Sequence, residues 1–573
     1  MKLFCALIVY KEVTNDTKKL LESPEQLTTV INHQQIIIAQ QRLQIQEYKR
    51  QHKNPQSTLL NKIRQQETRL VLQDRKIKNC HDEIEILREA LRLARMQRFA
   101  ASSEKLPSEQ FELFNEAEVL SVLAEEQKVD DFVTVPSHNR NRGKRKPLPD
   151  HLPREDFIVD LPEDQKICAK DGVALVEIGS DVSEKLDMIP AQFKVIRTIR
   201  KKYVCPCCQK NDEAKIQSAA LPASILPKSY ATPGLLAYIV TSKYVDALPL
   251  YRLEKLVSRN SIELPRNTMA RWVVDLANPL LPLYRLMEED LLSSDYICCD
   301  ETHTQVLKEK DKTPQSRSYM WVRTRHGPDQ RPIILFDYDP SRSSEVPKLL
   351  LQGIKGYLQA DGYAAYDAVC RLEGVVRVGC MAHVRRKFMD AYKASKKKNT
   401  EAKKILLLIK ALYKIEVALK TKSVAERKQT RLINATPLLD EFKAWLDVSQ
   451  NKYPSSGLMG KAITYATNQW EYVSNYLLDG RLEIDNNFTE NRIRPFAIGR
   501  KNWLFSDTVE GAKASAMIYS ILQTARGSGL EPYAYMRYLL TELPNCKTAE
   551  QLATLLPHKI DPKLLTEYSL RKI

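Results

Sequence analysis

The sequence has no hydrophobic run approaching the roughly 20 residues needed to span a bilayer, so we expect a soluble protein. Its first residues, MKLFCALIVYKE, are similar to the front of a signal peptide, but no small-residue cleavage pattern follows them. We interpret this segment as a buried strand or as the result of a start codon placed too early, and not as a secretion signal.

Cysteine is also scarce, because the 573 residues include only 11 cysteines, several of which are clustered. In a large basic chain this usage is typical of reduced thiols with a metal site among them, and it argues against a disulfide framework. The cysteine usage therefore predicts a cytoplasmic location.

Acidic residues are in deficit, since 71 Asp and Glu face 88 Lys and Arg and leave a formal net charge of +17. Counterion release from each neutralised phosphate favours binding to a polyanion, which predicts a nucleic acid partner ahead of a membrane surface. The length exceeds what one hydrophobic core usually serves, and 43% apolar residues suffice for real cores. We therefore expect several domains.

Glycine is absent from residues 24–99, a polar stretch rich in Gln, Lys, Arg and Leu. Apolar residues recur there at every seventh position, which is the seam of a coiled coil: Ile63, Leu70, Ile77, Ile84 and Leu91. The intervening seam positions are mostly polar, so pairing between chains would be weak. The segment is either the contact of a homo-oligomer or a solvated helical arm packed on its own chain.

A basic cluster lies in SHNRNRGKRKPLPDHLPRE, residues 137–155, where Pro and Gly predict a mobile linker. One interpretation is a solvated run of charge. The other is an extended arm that binds the narrow minor groove of DNA through Arg142, Lys144 and Arg145.

Four cysteines follow the linker in the spacing of an imperfect zinc ribbon, which needs two close pairs of soft ligands. Cys205 and Cys208 in KKYVCPCCQK form one pair. The other is incomplete, because Asp171 stands three residues after Cys168. Either Asp171 or Cys207 completes a zinc site, or no metal binds and packing alone holds the module.

The segment LPLYRLEKLVSRNSIELPRNTMARWVVDL predicts two helices joined by a short turn. In a helix-turn-helix the second helix would present Arg266 and Arg271 to DNA. An ordinary helical hairpin has the same pattern, so both interpretations stay open.

From Asp295 onward strands and helices alternate. DYICCDETHTQVL, SYMWVRTR and RPIILFDYD predict three successive antiparallel strands, SSEVPKLLLQG a helix, and GYLQADG and VVRVGC shorter strands. Residues 397–480 then become helical and Lys-rich, and helices dominate again from Gly511. The pattern predicts an α/β domain interrupted by a helical insertion.

Three acids in this region form a candidate constellation: Asp300, Asp361 and Glu490. Taken singly they have simpler explanations, respectively a turn after a strand, an Asp-Gly hairpin signal and a capping box with Asn487. Taken together, two strand-end carboxylates and one on a later helix are what two-metal phosphoryl transfer needs, with ions about 4 Å apart. Oxygen ligands of this kind suit Mg²⁺ or Mn²⁺.

The motifs ICCDET, LQADGYAAYD, GCMAHVRRKF and DNNFTENRIRPFAIGRKNWLF resemble the transposase of the insertion sequence 66 family, over nearly the whole chain. The resemblance implies a multidomain α/β protein with a DDE-type, ribonuclease-H-like catalytic domain whose metal-binding triad is Asp300, Asp361 and Glu490. It also implies two Mg²⁺ (or Mn²⁺) ions, double-stranded DNA of element ends and target as substrate, and accessory proteins of the same element. The incomplete cysteine pair at Asp171 departs from the family and leaves zinc in question.

Basic residues follow Glu490, and we expect them to hold the phosphates of the DNA being cut: Arg492, Arg494, Arg500 and Lys501. Arg492 and Arg494 cannot share one helical face, so one of them could pair with an acid. Trp503 and Phe505 either stack on bases or pack in the core. Cys380 and His383 form a CxxH motif that we interpret as a structural element of the catalytic domain, with half a metal site as the alternative.

The predicted domains are a helical or coiled-coil N-terminal region (1–100), a linker with a basic arm (101–155), a cysteine module (156–222), a helical segment with the candidate helix-turn-helix (223–292), a catalytic core (293–396 and 481–510), a helical insertion (397–480) and a C-terminal helical tail (511–573). The leading hypothesis is a DNA transposase that cleaves element ends and joins the 3′-hydroxyl to target DNA. The alternatives are a non-catalytic DNA-binding regulator derived from one and a nuclease that cuts without joining.

Overall fold

The computed structural model describes residues 24–51, 57–99, 193–203, 217–218, 220–327, 330–395 and 400–568. Several predicted sites lie outside the described residues: Arg142, Lys144, Arg145, Cys168, Asp171, Cys205, Cys207 and Cys208. The chain divides into two compact units, one of residues 1–125 and 222–573 and one of residues 126–221.

Two long helices begin the larger unit, α1 (Pro24–Gln51) and α2 (Ser57–Phe99). Residues of the predicted heptad seam are buried against α1 of the same chain, in a cluster of Ile38, Leu70, Ile77 and Ile84. Leu91, also at a seam position, is exposed. The described contacts are therefore those of the helical arm packed on its own chain.

The smaller unit contains a two-stranded antiparallel ribbon of β1 (Lys202–Tyr203) and β2 (Gln217–Ser218). Lys202 lies opposite Ser218, and Tyr203 lies opposite Gln217. In the sequence, Cys205 and Cys208 fall between these two strands.

A six-stranded mixed sheet forms the centre of the larger unit, and its main strands have the order β5-β4-β3-β6-β7. The strands are β3 (Tyr296–Lys308), β4 (Arg317–Gly327), β5 (Gln330–Asp339), β6 (Gly356–Gln359), β7 (Val375–Val378) and β8 (Ser506–Thr508). β3, β4 and β5 pair antiparallel, whereas β6, β7 and β8 join through parallel pairing, with β8 beside the far end of β3. β3 therefore joins the antiparallel half of the sheet, through β4, to the parallel half, through β6.

Helices surround this sheet. They are α3 (Pro233–Tyr244), α4 (Leu250–Ser258), α5 (Arg266–Asp275), α6 (Ala277–Leu292), α7 (Glu345–Leu350), α8 (Asp367–Cys370), α9 (Met381–Ala394), α10 (Thr400–Leu419), α11 (Val424–Asn434), α12 (Thr436–Ser449), α13 (Leu458–Asn468), α14 (Trp470–Ser474), α15 (Asn487–Trp503), α16 (Val509–Gly527), α17 (Pro532–Glu542) and α18 (Ala549–Ala553). Among the described residues, no helix has the length and apolar character to cross a membrane.

The outer edge of the sheet is strand β5, and α16 closes it with hydroxyl groups. The amide of Ile334 donates to Thr524 Oγ1 at 2.9 Å, and the amide of Phe336 donates to Ser520 Oγ at 2.7 Å. An open edge would present a row of unpaired amides and carbonyls to other chains. The helix that follows β8 thus supplies the hydrogen bonds that a further strand would otherwise make.

Helices α10 to α14 form a bundle that packs on α9 beside the sheet. Their core includes edge-to-face contacts of Phe388 on α9 with Phe442 and Trp445 on α12. Within the bundle, Arg431 is fully buried and pairs through two nitrogens with both carboxylate oxygens of Glu416, at 2.9 and 2.6 Å. Arg431 Nη1 also donates to the carbonyl of Tyr476. This network satisfies a charge that burial would otherwise make very costly.

The bundle also fixes the loop that leads into α15. Tyr413 on α10 donates its hydroxyl to Asp485 Oδ2 at 2.6 Å, and Asp485 accepts from the backbone and side-chain amides of Asn487. Burial is the main reason that the pKa of Asp485 is raised to about 6. The start of α15 therefore depends on a buried carboxyl and on a residue of the bundle.

Replacing Glu416 with alanine tests the buried pair. Arg431 would keep its charge without its partner, and we expect the free energy of unfolding to fall by about 3–5 kcal/mol. Asp447→Ala, which removes the partner of Lys443 in an exposed pair of the same bundle, should cost less than about 1 kcal/mol. Denaturant unfolding of both variants measures the difference, and equal losses would contradict the role assigned to Arg431.

Asp485→Asn tests the raised pKa. Because the folded-state pKa of about 6 exceeds the ordinary value of 3.8, lowering the pH from 7 to 5 protonates Asp485 in the folded protein and stabilises it. Over this range the wild type should gain roughly 1 kcal/mol of unfolding free energy relative to the variant. Parallel unfolding curves at pH 5, 6 and 7 measure the gain, and an identical pH dependence of both proteins would refute it.

Candidate active site

Two of the predicted acids meet at one end of the sheet. Asp300 follows four buried residues of β3, and Asp361 comes two residues after the end of β6. β3 and β6 are parallel, and Cys298 lies opposite Gln359. Each aspartate stands two residues beyond this pair, and neighbouring strands lie about 5 Å apart. The pairing of β3 with β6 therefore places Asp300 and Asp361 side by side.

The first turn of α15 brings Glu490 to the same region. Asn486 Nδ2 donates to the carbonyl of Cys299, one residue before Asp300, at 2.8 Å. The hydroxyls of Thr489 and Thr324 are 2.8 Å apart, which joins the helix to β4 at the residue opposite Cys298. Two hydrogen bonds thus hold the helix that carries Glu490 against the strands beside Asp300.

Glu490 does not cap its helix. The N-cap residue of α15 is Asn486, which makes no side-chain capping hydrogen bond. The carboxylate of Glu490 instead faces α9, where His383 Nδ1 lies 3.7 Å from Oε1 and Arg386 Nη2 lies 3.5 Å from Oε2. The capping-box explanation of Glu490 therefore does not hold.

The pKa of Asp300 depends on its burial and on the acids around it. Burial, the largest cause, raises its pKa well above the usual range, and the negative charges of Glu301, Glu490 and Asp361 raise it further. The carboxylates thus repel one another in a region of low dielectric, where a bound cation would stabilise their ionised forms. Hard oxygen donors of this kind fit Mg²⁺ or Mn²⁺.

Glu301, next to Asp300, has partners of its own and was not identified from the sequence. Its carboxylate forms an ion pair with Arg342 and accepts a hydrogen bond from Tyr366 Oη at 2.7 Å. The guanidinium of Arg342 also stacks on Tyr363, 3.9 Å from the ring centroid. Successive strand residues point to opposite faces, so Glu301 and Asp300 leave β3 on different sides. No spacing in the sequence connects Glu301 with Arg342 or Tyr366.

The CxxH motif, Cys380 to His383, lies beside Glu490. Cys380 is the residue before α9, and its Sγ accepts the amide of Asn486 at 3.2 Å. Ligand atoms of Cys380, His383 and Glu490 all lie within 4.8 Å of one another, a grouping close enough to hold a metal ion among the described residues. Asp300 and Asp361 are not members of this group. The sequence shows the motif, but no local spacing predicts that it lies close to Glu490.

The basic residues after Glu490 have different surroundings. Arg492 lies over the ring of Phe488, 4.9 Å from the centroid. Arg500 Nη1 donates to Thr302 Oγ1 at 2.9 Å and to the carbonyl of His303. Arg494 and Lys501 are exposed.

The two aromatic residues at the end of α15 differ as well. Trp503 packs edge-on against Tyr244, whereas Phe505 is 42% exposed. Arg266 and Arg271 are both exposed on α5, whose opposite face buries Met269. These surfaces are accessible to a ligand, and Trp503 is part of the packing between α15 and α3.

Comparison with known proteins gives consistent results along the chain. The model of the transposase IS66 family matches residues 228–514. Models described as the zinc-finger binding domain of transposase IS66, transposase C of IS166 homeodomain and the IS66 C-terminal element match residues 165–209, 86–156 and 520–558.

Several relatives come from Sinorhizobium fredii. Uncharacterized protein y4jD is 33% identical over 425 residues, which cover 72% of this chain and 81% of the relative. Uncharacterized protein y4qI is 31% identical over 440 residues, covering 74% and 79%. The family model spans half of the chain and includes all three acids. With the resemblance in the sequence motifs thereby confirmed, the chain belongs to the transposase IS66 family.

Proposed function

We propose that the protein is a Mg²⁺-dependent DDE transposase with a ribonuclease-H-like catalytic core. The single observation that carries this proposal is the parallel pairing of β3 with β6, which sets Asp300 beside Asp361. Glu490 approaches from α15, and its charge acts on Asp300. The order of the strands, with three antiparallel strands followed by parallel ones, supports the assignment of the core.

Asp300, Asp361 and Glu490 would hold the two Mg²⁺ (or Mn²⁺) ions. Such ions, when bound, activate the attacking oxygen and stabilise the leaving one. In cleavage, a water oxygen bonds to phosphorus, the bond from phosphorus to the 3′-oxygen breaks, and that oxygen leaves as a 3′-hydroxyl. In joining, this hydroxyl loses its proton and attacks a target phosphorus, from which the target's own 3′-oxygen departs. The carboxylates orient both reactions without a covalent protein intermediate.

The exposed basic residues would bind the backbone of double-stranded DNA at the element ends and in the target. On α15 these are Arg494 and Lys501, and on α5 they are Arg266 and Arg271. Arg492 and Arg500 are engaged within the protein and would rather fix α15 in place. The net charge of +17 supports such a partner.

The remaining parts of the proposal concern the regions around the core. The basic arm at Arg142, Lys144 and Arg145 would bind the minor groove, and Cys168, Cys205 and Cys208 would hold zinc. We also propose the seven-part domain division, a homo-oligomer, accessory proteins of the same element and a cytoplasmic location. The match to a zinc-finger model at residues 165–209 supports the zinc site.

Glu490→Gln tests the proposed triad. The substitution keeps the shape of the side chain but removes its charge, so both cleavage and joining should fall by at least about 100-fold, because metal ligands supply several kcal/mol of charge stabilisation. Binding to the element ends should stay close to that of the wild type. Gel-based cleavage and strand-transfer assays in Mg²⁺ measure the activities, and a gel-shift titration measures binding.

Glu441→Gln is the matched control, because Glu441 is half-exposed on α12 and pairs only with Lys404 in the described contacts. It should behave as the wild type in all three assays. Equal strand transfer by Glu490→Gln and the wild type would refute the triad.

A further inference from the structure

Helix α9 presents two nitrogen-bearing side chains to the carboxylate of Glu490. His383 and Arg386 are three residues apart and therefore share one face of the helix. His383 Nδ1 is 3.7 Å from Glu490 Oε1, and Arg386 Nη2 is 3.5 Å from Glu490 Oε2. Each oxygen of the carboxylate thus has one basic group beside it.

These contacts leave hydrogen-bonding capacity unused. His383 Nδ1 and Glu490 Oε1 are buried atoms without a hydrogen-bond partner among the described residues, a condition that native proteins rarely keep. The two side chains are nevertheless 22% and 25% exposed, and that of Arg386 is 57% exposed. A ligand from solution can therefore reach Arg386 and the exposed parts of His383 and Glu490, beside polar atoms that lack a partner.

We propose that His383 and Arg386 form the subsite that binds the scissile phosphodiester of the DNA. This inference rests on the proposed function and adds the substrate contact to it. Cations bound at Asp300, Asp361 and Glu490 would neutralise the carboxylate that now attracts Arg386. The guanidinium would then be available to a phosphate oxygen of the DNA, and Arg matches phosphate geometry well.

The position of His383 fits the same substrate. The imidazole lies 3.7 Å from Glu490 Oε1 and close enough to Asp361 for the charge of that acid to act on it, so the ring lies beside both acids. Cys380 immediately precedes α9, and its Sγ accepts the backbone amide of Asn486. The side chain of Asn486 donates to the carbonyl of Cys299, next to Asp300. Asn486, at the start of α15, thus joins the start of α9 to β3 beside Asp300.

A zinc ion bound by Cys380, His383 and Glu490 is the competing occupant. The described residues supply three ligands where structural zinc sites have four. The sulfur of Cys380 already accepts a hydrogen bond and is almost fully buried. The observations therefore favour the phosphate, and zinc becomes an outcome of the test.

The test uses the purified full chain and labelled duplexes of the terminal DNA of its element, in Mg²⁺ under single-turnover conditions. His383→Ala should lower the cleavage rate constant about 100-fold, as loss of one donor to a developing charge does in other enzymes. Arg386→Ala should lower it by about 10- to 100-fold, and Arg386→Lys should restore part of the rate. The Kd for DNA should change less than about threefold, because many other phosphates contribute to binding.

Lys393→Ala is the matched control, because Lys393 is a basic residue of the same helix about 10 Å further along its axis, near Asp390. It should cleave at the wild-type rate. His383→Gln serves as a second variant that keeps a polar group of similar reach, and the melting temperature of each variant confirms that it is folded.

A phosphorothioate at the scissile position separates substrate contact from a structural role. If Arg386 binds one non-bridging oxygen, sulfur at that oxygen should already weaken the contact, so Arg386→Ala should cost at least about fivefold less on that diastereomer than on the other. A purely structural role would lower both rates equally, and that result would overturn the proposal.

Two further outcomes are decisive. Wild-type rates in His383→Ala and Arg386→Ala, with Glu490→Gln inactive, would overturn the subsite and leave the triad intact. A wild type that stays inactive in both Mg²⁺ and Mn²⁺, with the accessory proteins of the element added, would overturn both. Elemental analysis tests the zinc alternative. The cluster would be assigned to a metal instead of a phosphate if one equivalent of zinc is lost in Cys380→Ser, His383→Ala and Glu490→Gln but kept in Cys205→Ser.

Discussion

The parallel pairing of β3 with β6 is the constraint on which the candidate site depends. A single register, with Cys298 opposite Gln359, determines that Asp300 and Asp361 leave the sheet at the same level. A shift of one residue would move one carboxylate to the other face of its strand. The four buried residues Tyr296 to Cys299 lie between Asp295 and Asp300, so such a shift would place one of these charged side chains at a buried position.

The helical bundle and α15 complete what the sheet begins. Glu490 is 190 residues away from Asp300 in the sequence, and the bundle fills much of that separation. Its role is more than that of a spacer, because Tyr413 holds Asp485 and because Tyr465 packs on Gly362, where a β-carbon would lie 2.7 Å from the tyrosine hydroxyl. The bundle thus contacts the loops next to both Asp361 and Glu490, and its stability and the geometry of the site are linked.

Much of the core could be predicted from local pattern. The segments DYICCDETHTQVL, SYMWVRTR and RPIILFDYD coincide with β3, β4 and β5, since runs of β-branched and aromatic residues bounded by polar turns favour strands. The contacts of Glu301 with Arg342 and of His383 with Glu490 could not be predicted in this way. They join residues 41 and 107 positions apart, and local periodicity contains no information on which distant side chains meet. The same holds for the choice between a seam that pairs chains and one that packs on α1.

The hydroxyl groups of α16 that close the edge of β5 have a consequence for biosynthesis. Thr524 is made 190 residues after Ile334, so at about 5–20 residues per second the ribosome needs roughly 10–40 seconds to supply it. During that time the edge of a largely apolar strand remains unpaired on a nascent chain. Newly made protein is therefore most prone to aggregation in this interval, and chaperone binding to the emerging sheet would matter most before Thr524 is translated.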